Sequence, residues 1–369
     1  MHNILVTGGS GFLGSELITQ IVSSSDDIIY AVVRGENASA AQKRLEAILT
    51  TLVDARQFAK MATRIHVVLG DVTRKDLGMD GETLKRLSEL VDVIYHSAAV
   101  TDLNIPLTVA RKVNVEGTRN VLDVAFRYKK GGRLKKVNHV STAYIAGSTV
   151  CVFREDDFDI GQKFNNTYEQ SKFEAENVVR QYREQGLDID IFRPSIILGR
   201  YADGKTTNFR MFYQPLHFFS LGLFDRIPAA GDSSENLINV DTAAKIIQLV
   251  SGTATENNMT YHVVSPRAPT LDYVLTVASD YFGFKKPDLV PPDRIDMEEE
   301  YSPARRCMIA PYLPYFNYST IFGMDNVSKD KNMKEFRFPE FDASNLTRLY
   351  EYCAKCGFIK RKMQRAIVG

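Results

Sequence analysis

The chain has 369 residues, of which 44% are hydrophobic and 25% charged, the balance of an ordinary folded protein rather than a disordered or fibrous one. Lys and Arg number 46 against 45 Asp and Glu, so the formal net charge is +1 and no overall field draws a nucleic acid to the surface. No run of about 18 apolar residues occurs, which excludes a membrane-spanning helix.

The length suits one large domain or two joined ones. Cys151, Cys307, Cys353 and Cys356 form no disulfide framework and point to a reducing, cytoplasmic setting. Cys353 and Cys356 make a lone CxxC, half of a zinc site, so no metal is expected. A strand starting at residue 3 leaves no secretory leader to expect.

The first informative stretch is NILVTGGSGFLGSEL, residues 3–17. Ile4 to Thr7 read as a buried strand. Gly8, Gly11 and Gly14 recur at even spacing, and Phe12, Leu13, Leu17, Ile18 and Ile21 fall at helical spacing. A strand, a glycine turn and a helix present backbone N–H groups to a phosphate. Thr7, Gly8, Ser10, Gly11, Phe12, Leu13 and Gly14 are therefore expected around a dinucleotide.

The second strand, Ile28–Arg34, ends in a cation where an acidic residue would select NAD. Arg34 offers a guanidinium fork to a 2′-phosphate, which predicts NADPH, although Glu36 is close by. Arg44, on a helix expected over 40–55, is either a second phosphate contact or an exposed helix charge. The third strand, Ile65–Gly70, ends at Asp71 and Val72, where an adenine edge would lie; Asp71 reads equally as a turn former. A helix over 81–90 leads to the fourth strand, Val91–His96. It ends in Ser97, Ala98 and Ala99, small enough for a cofactor to pass close, with His96 read as structural.

A helix over 107–127 precedes the basic run Lys129–Lys136. That run, like Lys360–Arg365, is a solvated segment or a docking patch for an acidic partner. The fifth strand, Val137–Val140, runs into VSTAY (140–144), and a helix over 167–185 opens within NTYEQSKFEAE (166–176). Tyr168 and Lys172 are four apart and share a helix face. A free tyrosine, with a pKa of about 10, is a poor acid at neutral pH, and an ammonium beside it is expected to lower that value. Such a phenol can protonate an oxygen while hydride reaches the neighbouring carbon. Ser141 or Thr142, at the strand end, can donate to the same oxygen.

The sixth strand, Ile189–Arg193, extends the alternation of strands and helices. It predicts an α/β protein built on a doubly wound parallel sheet, with ligands at the carboxyl ends of its strands. Beyond Arg193 the rhythm fails. A helix over Asn239–Val250 and a strand over Thr260–Val264 follow, and prolines cluster from Pro266. The expected organisation is a dinucleotide-binding unit over 1–264, with a substrate-side insert at about 200–235, and a smaller C-terminal substrate region over 265–369. The densest apolar stretch, MFYQPLHFFSLGLF (211–224), is core, the wall of a substrate cavity, or a peripheral membrane contact.

TGGSGFLG at 7–14, HSAAV at 96–100, VNVEGT at 113–118, VSTAY, YEQSK at 168–172 and FRPSIILG at 192–199 stand in one order. Over about residues 1–265 the chain resembles the extended short-chain dehydrogenase/reductases, a Rossmann family. The resemblance implies that Thr142, Tyr168 and Lys172 form a catalytic triad. It also implies that Asn114 is a structural or proton-relay residue at the cofactor site, that Pro194 and Ser195 flank a nicotinamide, and that the chemistry is hydride transfer. GFLGSELITQIV, AVVRGENASAAQKRLEAIL, SAAVTDLNIPLTVARKVNVEGTRNVL and ENLINVDTAAKII look like the thioester reductase and fatty acyl-CoA reductase branch. That branch implies NADPH-dependent reduction of an acyl thioester to an aldehyde, or onward to an alcohol. The acyl group would ride on coenzyme A or on an acyl- or peptidyl-carrier protein bound in trans. The rivals are a sugar-nucleotide epimerase or dehydratase, with Arg200, Lys205 and Arg210 as a diphosphate clamp, a hydroxysteroid-type ketone reductase, and a redox-sensing module without catalysis.

Overall fold

The computed structural model describes residues 1–251 and 257–362. Strand β1 (Asn3–Thr7) leads into α1 (Phe12–Ser24), and β2 (Ile28–Val33) into α2 (Ala38–Leu52) and α3 (Ala55–Ala62). Then come β3 (Ile65–Leu69), α4 (Gly81–Leu90), β4 (Val93–His96), α5 (Leu107–Arg111), a π-helical turn over Lys112–Glu116, and α6 (Gly117–Lys130). β5 (Lys136–Val140), the short β6 (Val152–Phe153), α7 (Thr167–Glu184) and β7 (Ile189–Pro194) complete this part. Two helices expected to be single are interrupted. The one expected over 40–55 stops at Leu52, because the Asp54 side chain accepts from the Gln57 N–H at 2.8 Å and caps a new helix. The one expected over 107–127 is divided by the π turn, which contains Asn114.

The chain continues through β8 (Ile196–Leu198), α8 (Tyr213–Ser220), β9 (Arg226–Pro228), β10 (Leu237–Asn239), α9 (Val240–Ser251) and β11 (Thr260–Val263). The central sheet has seven strands in the order β11-β7-β5-β4-β1-β2-β3, all paired in parallel. Six were expected; β11 adds itself to β7 as the edge strand. The order reverses between β1 and β4, which opens a crevice at their carboxyl ends. Helices cover both faces, so β7 is buried at every position. Leu17, Ile18 and Ile21 of α1 pack with Ala244 and Ile247 of α9 on one face. Val121, Leu122 and Ala125 of α6 pack with Val178, Val179 and Tyr182 of α7 on the other.

The C-terminal residues form α10 (Leu271–Phe282), β12 (Asp288–Val290), α11 (Met297–Glu300), α12 (Pro303–Ile309), α13 (Leu313–Phe316), β13 (Ile321–Phe322), α14 (Asp325–Lys329) and α15 (Ala343–Lys355). They return onto the earlier chain, with β12 pairing β9 and β13 pairing β6. Phe212, Phe219 and Phe224 of the 211–224 stretch share one apolar cluster with Phe282, Tyr315, Leu349 and Tyr350. No helix among the described residues is long and apolar enough to cross a membrane.

Three cations of the basic run at 129–136 are engaged by neighbouring acids. Arg133 and Lys135 meet Asp92 at 3.2 and 3.5 Å, and Lys136 meets Asp190 at 2.9 Å. Lys129, Lys130, Arg133 and Lys135 remain exposed, as in a solvated segment. Of the run at Lys360–Arg365, residues 363–365 lie outside the described residues.

Helix α7 buries charge. On its inner face, at the helical spacing of four, lie Lys172 and Glu176. Arg193 of β7 donates to both Glu176 oxygens, at 2.6 and 3.2 Å, and its remaining N–H groups reach the carbonyls of Asp157 and Glu155 at 2.7 and 3.2 Å. Neither side chain of this pair is exposed. Burial pushes the Glu176 carboxyl up, but the Arg193 guanidinium outweighs it and holds the value at about 2 instead of the ordinary 4.5. A depressed carboxylate stabilises the fold above its unfolded value and loses that contribution as the pH falls through the folded one. Arg193→Met should therefore cost about 3–5 kcal/mol in urea unfolding at neutral pH. It should also remove the part of the wild type's stability that disappears below about pH 4.5. An unchanged unfolding free energy would contradict this account.

Candidate active site

Where the strand order reverses, a cleft of about 580 Å3 opens at the carboxyl edge of the sheet. Its floor is the glycine turn. Gly8 adopts φ +75°, and a Cβ there would lie 2.5 Å from the Ala98 nitrogen. A Cβ on Gly14 would overlap the Gly8 carbonyl oxygen. Gly11 starts α1 with no side-chain cap, its N–H bonded to the Gly8 carbonyl at 2.8 Å. The first N–H groups of α1 are thus left facing the cleft, where an anion satisfies them. Ser10, Gly11, Phe12, Leu13 and Gly14 line the cleft, with Ser97 and Ala99 of the segment after β4.

Thr7, Gly8 and Ala98 stand behind this lining. The Thr7 hydroxyl meets His96 Nδ1 at 2.7 Å, and His96 Nε2 meets the Thr118 hydroxyl at 3.0 Å. Burial lowers the His96 pKa to about 3, so it is a neutral structural link. The residues expected at the adenosine end are not among the cleft lining. Arg34 is exposed just past β2 and has no ion-pair partner among the described residues, and Arg44 is exposed on α2. Asp71 acts as a turn former, accepting from the Thr73 N–H and hydroxyl, both at 2.9 Å. Val72 packs against Gly117, and its carbonyl accepts from Asn120 at 2.8 Å.

Ser141, Thr142, Tyr168, Lys172, Pro194 and Ser195 converge on the same cleft. The Thr142 hydroxyl donates to the Pro194 carbonyl at 3.3 Å and accepts from the Tyr144 N–H at 3.3 Å. Tyr168 sits in the first turn of α7, whose end is capped by Asn166 accepting from the Glu169 N–H at 3.0 Å. Lys172 donates to the Val140 carbonyl at 2.8 Å. The electrostatics correct one expectation. Burial raises the Tyr168 pKa to about 12, with the nearby Thr142 hydroxyl pulling the other way. Burial lowers Lys172 to about 8, opposed by Glu176. The ammonium does not depress the phenol: it is tied to a carbonyl, and desolvation dominates both groups.

Of the two roles expected for Asn114, the contacts it makes are those of the structural one. It is 1% exposed and does not line the cleft. Its amide donates to the Ser171 hydroxyl at 2.9 Å and the Val100 carbonyl at 3.1 Å, and accepts from the Val100 N–H at 2.9 Å. It clamps the segment after β4 to α7. Of the candidate diphosphate clamp, Arg210 lines the cleft, whereas Arg200 and Lys205 are not among its lining residues. Arg200 donates to the Leu52 carbonyl at 2.7 Å, Lys205 pairs with Asp203 at 3.2 Å, and Arg210 pairs with Asp102 at 3.1 Å. Cys353 is buried and Cys356 exposed, and no group of three metal-ligating His, Cys, Asp or Glu side chains forms among the described residues.

Sequence reasoning missed Tyr315, which lines the cleft from far along the chain. Its hydroxyl donates to Glu169 at 2.6 Å and accepts from Asn166 at 2.7 Å. No local periodicity marks it, because its partners lie about 150 residues away. Tyr144, Met211 and Phe212 complete the outer wall. The glycine cradle fits the pyrophosphate of a nicotinamide dinucleotide. The Ser195 hydroxyl, 5% exposed and without a partner among the described residues, fits a contact to its nicotinamide end.

The family model described as male sterility protein, an NAD-binding domain, matches residues 6–247. The chain is 26% identical over 96% of its length to a subunit of the linear gramicidin synthase of Brevibacillus parabrevis, of which it covers 7%. It is 30% identical over 53% of its length to a putative fatty acyl-CoA reductase of Drosophila melanogaster, of which it covers 41%. The chain thus spans less than half the length of either relative. Among solved structures, the terminal R domain from the myxalamid PKS-NRPS biosynthetic pathway superposes with a TM-score of 0.83 at 26% identity, covering 98% of this chain and 92% of that one.

Gly8→Ala should weaken binding of a nicotinamide dinucleotide by tenfold or more, since it combines a left-handed φ with a backbone overlap. Gly81→Ala, at a site with nothing within 4 Å of the new methyl, should leave binding unchanged. Calorimetric titration of both variants checks the pair; equal behaviour would mean that the turn is not the cradle.

Proposed function

The chain belongs to the NAD-binding family described as male sterility protein, and from that premise we propose that it is an NADPH-dependent reductase converting an acyl thioester to an aldehyde. The acyl group would be carried on coenzyme A or on the phosphopantetheine arm of a carrier protein. One observation carries this reading. A protonated phenol, a small hydroxyl and a lysine share a cleft whose outer wall is Met211, Phe212 and Tyr315, a place for a carbonyl with an apolar tail. The names of the similar proteins support a thioester substrate. Arg34, exposed just past β2 and without an ion-pair partner among the described residues, supports a 2′-phosphate.

When bound, the reduced nicotinamide supplies the hydride. The residues of the chain do the rest. Thr142 and Tyr168 donate to the carbonyl oxygen as it gains negative charge, each donor contributing about 2.7–4 kcal/mol of transition-state stabilisation. At a pKa of about 12, Tyr168 stays protonated at neutral pH and can pass its proton to that oxygen. A raised value suits an acid that works in the reducing direction. The product is a hemithioacetal. Its C–S bond then breaks, the sulfur takes the hydroxyl proton, and an aldehyde and a free thiol leave. Lys172 shares the cleft with Tyr168 and, with its pKa lowered to about 8, can stabilise the phenolate left behind and give up a proton to restore the phenol.

Incubation with NADPH and a panel of acyl thioesters, followed by mass spectrometry, should reveal aldehyde and free thiol; turnover of a nucleotide sugar instead would overturn the reading. Tyr168→Phe should lower kcat by about 10²–10³ while NADPH still binds. Arg34→Ala should raise the KM for NADPH by about ten- to a hundredfold, the weight of charge-assisted hydrogen bonds of roughly 1.5–3 kcal/mol, and barely alter that for NADH.

A further inference from the structure

Tyr168 is the second residue of α7. The groups that tie this helix to the sheet all follow it: Ser171 under Asn114, Lys172 on the Val140 carbonyl and Glu176 on Arg193. The N–H groups of an opening turn have no carbonyl of their own helix to meet, so the turn frays unless side chains hold it. The Tyr168 hydroxyl can be no better placed than the turn that carries it.

Asn166 caps the turn by accepting from the Glu169 N–H at 3.0 Å, and Thr167 donates to the Ile105 carbonyl at 2.9 Å. Glu169 folds back over the cap, accepting from the Asn165 N–H at 2.8 Å and from the Asn165 amide at 3.1 and 3.2 Å. Tyr315 joins the cap to this carboxyl. The Asn166 oxygen is used by the cap, so its amide nitrogen donates, reaching the Tyr315 oxygen at 2.7 Å. The Tyr315 O–H is then left to donate to Glu169 at 2.6 Å. The Glu169 side chain is fully buried, and no cation pairs with it among the described residues. A carboxyl so placed depends on donated hydrogen bonds. Burial pushes its pKa up, and the bond from Tyr315 is the largest influence the other way. Tyr315 is itself anchored from the C-terminal side. Asn317 accepts from the Ala230 N–H at 3.0 Å and donates to the Pro228 carbonyl at 2.7 Å, and the Tyr315 ring meets that of Tyr144 edge-on, 5.3 Å between centres.

We propose that Tyr315 is a positioning residue for the proton donor: it braces the opening turn of α7 and so fixes the Tyr168 hydroxyl against the carbonyl to be reduced. Proton delivery thereby depends on a residue of the C-terminal region. The brace stands on the hydrogen bonds alone, whereas its consequence for proton delivery rests on the thioester reading of the cleft. A donor displaced by a fraction of an ångström loses much of its effect, because the reacting atoms must meet at hydrogen-bond distance.

Two variants cut the brace from opposite ends. Tyr315→Phe keeps the ring and removes the hydroxyl. Asn166→Ser keeps a good cap and removes the amide that faces Tyr315. In hydrogen–deuterium exchange of the full chain, the Glu169 and Gln170 amides should exchange at least about tenfold faster in both variants, with Ile18 and Ile21 of α1 unchanged. With NADPH and octanoyl pantetheine, both variants should lower kcat by about ten- to a hundredfold and leave the KM for NADPH unchanged. Both should also raise the solvent deuterium isotope effect on kcat, since a misplaced donor makes proton transfer limiting. Unchanged exchange at Glu169 and Gln170 in both variants overturns the brace. Faster exchange with the wild type's isotope effect would reduce Tyr315 to a structural part and overturn the positioning role, while thioester turnover kept the reductase reading intact. Faster exchange in the variants, with no thioester turned over even by the wild type, would leave the brace standing and refute the reductase reading.

Discussion

A guanidinium and a carboxylate with no exposure to water, Arg193 on β7 and Glu176 on α7, fix the helix that carries Tyr168 and Lys172. Such a pair adds little net stability over well-packed apolar side chains, but an error in its geometry is costly. It therefore specifies position. The Lys172 ammonium on the Val140 carbonyl and the Ser171 hydroxyl under Asn114 use the same inner face of α7. One helix is thereby locked to β5, to β7 and to the segment after β4.

The same burial sets the chemistry of the site. Desolvation is the largest influence on both Tyr168 and Lys172, raising the first and lowering the second. For the proposed reduction, a phenol kept protonated and a lysine that loses charge easily would suit delivery of a proton to a newly formed oxyanion. Ionic attraction between the two would have given a different poise, one closer to a base.

The cleft is assembled from three distant parts of the chain. The glycine turn supplies one wall, in backbone contact with the end of β4. The ends of β5 and β7 supply the hydroxyls. Tyr315, from beyond the seven-stranded sheet, bonds to Glu169 and Asn166 in and just before the first turn of α7. The C-terminal residues thus close the site through one phenol.

Features set by local repetition were legible in the sequence. The strands of the sheet, the helix after the glycines and the four-residue spacing of Tyr168 and Lys172 each follow from periodicity and backbone sterics, which act over a few residues. The places of Thr142, Pro194 and Ser195 at strand ends followed from the same reasoning with the family resemblance. What the sequence could not state depends on which groups lose contact with water, and that is decided only when distant segments pack. Packing set the direction of the Tyr168 pKa, drew Asn114 away from the cleft into a clamp, and joined β11 to the sheet as its seventh strand. It also brought Tyr315 to α7. Desolvation and long-range hydrogen bonds have no sequence period, so tertiary structure alone decided them.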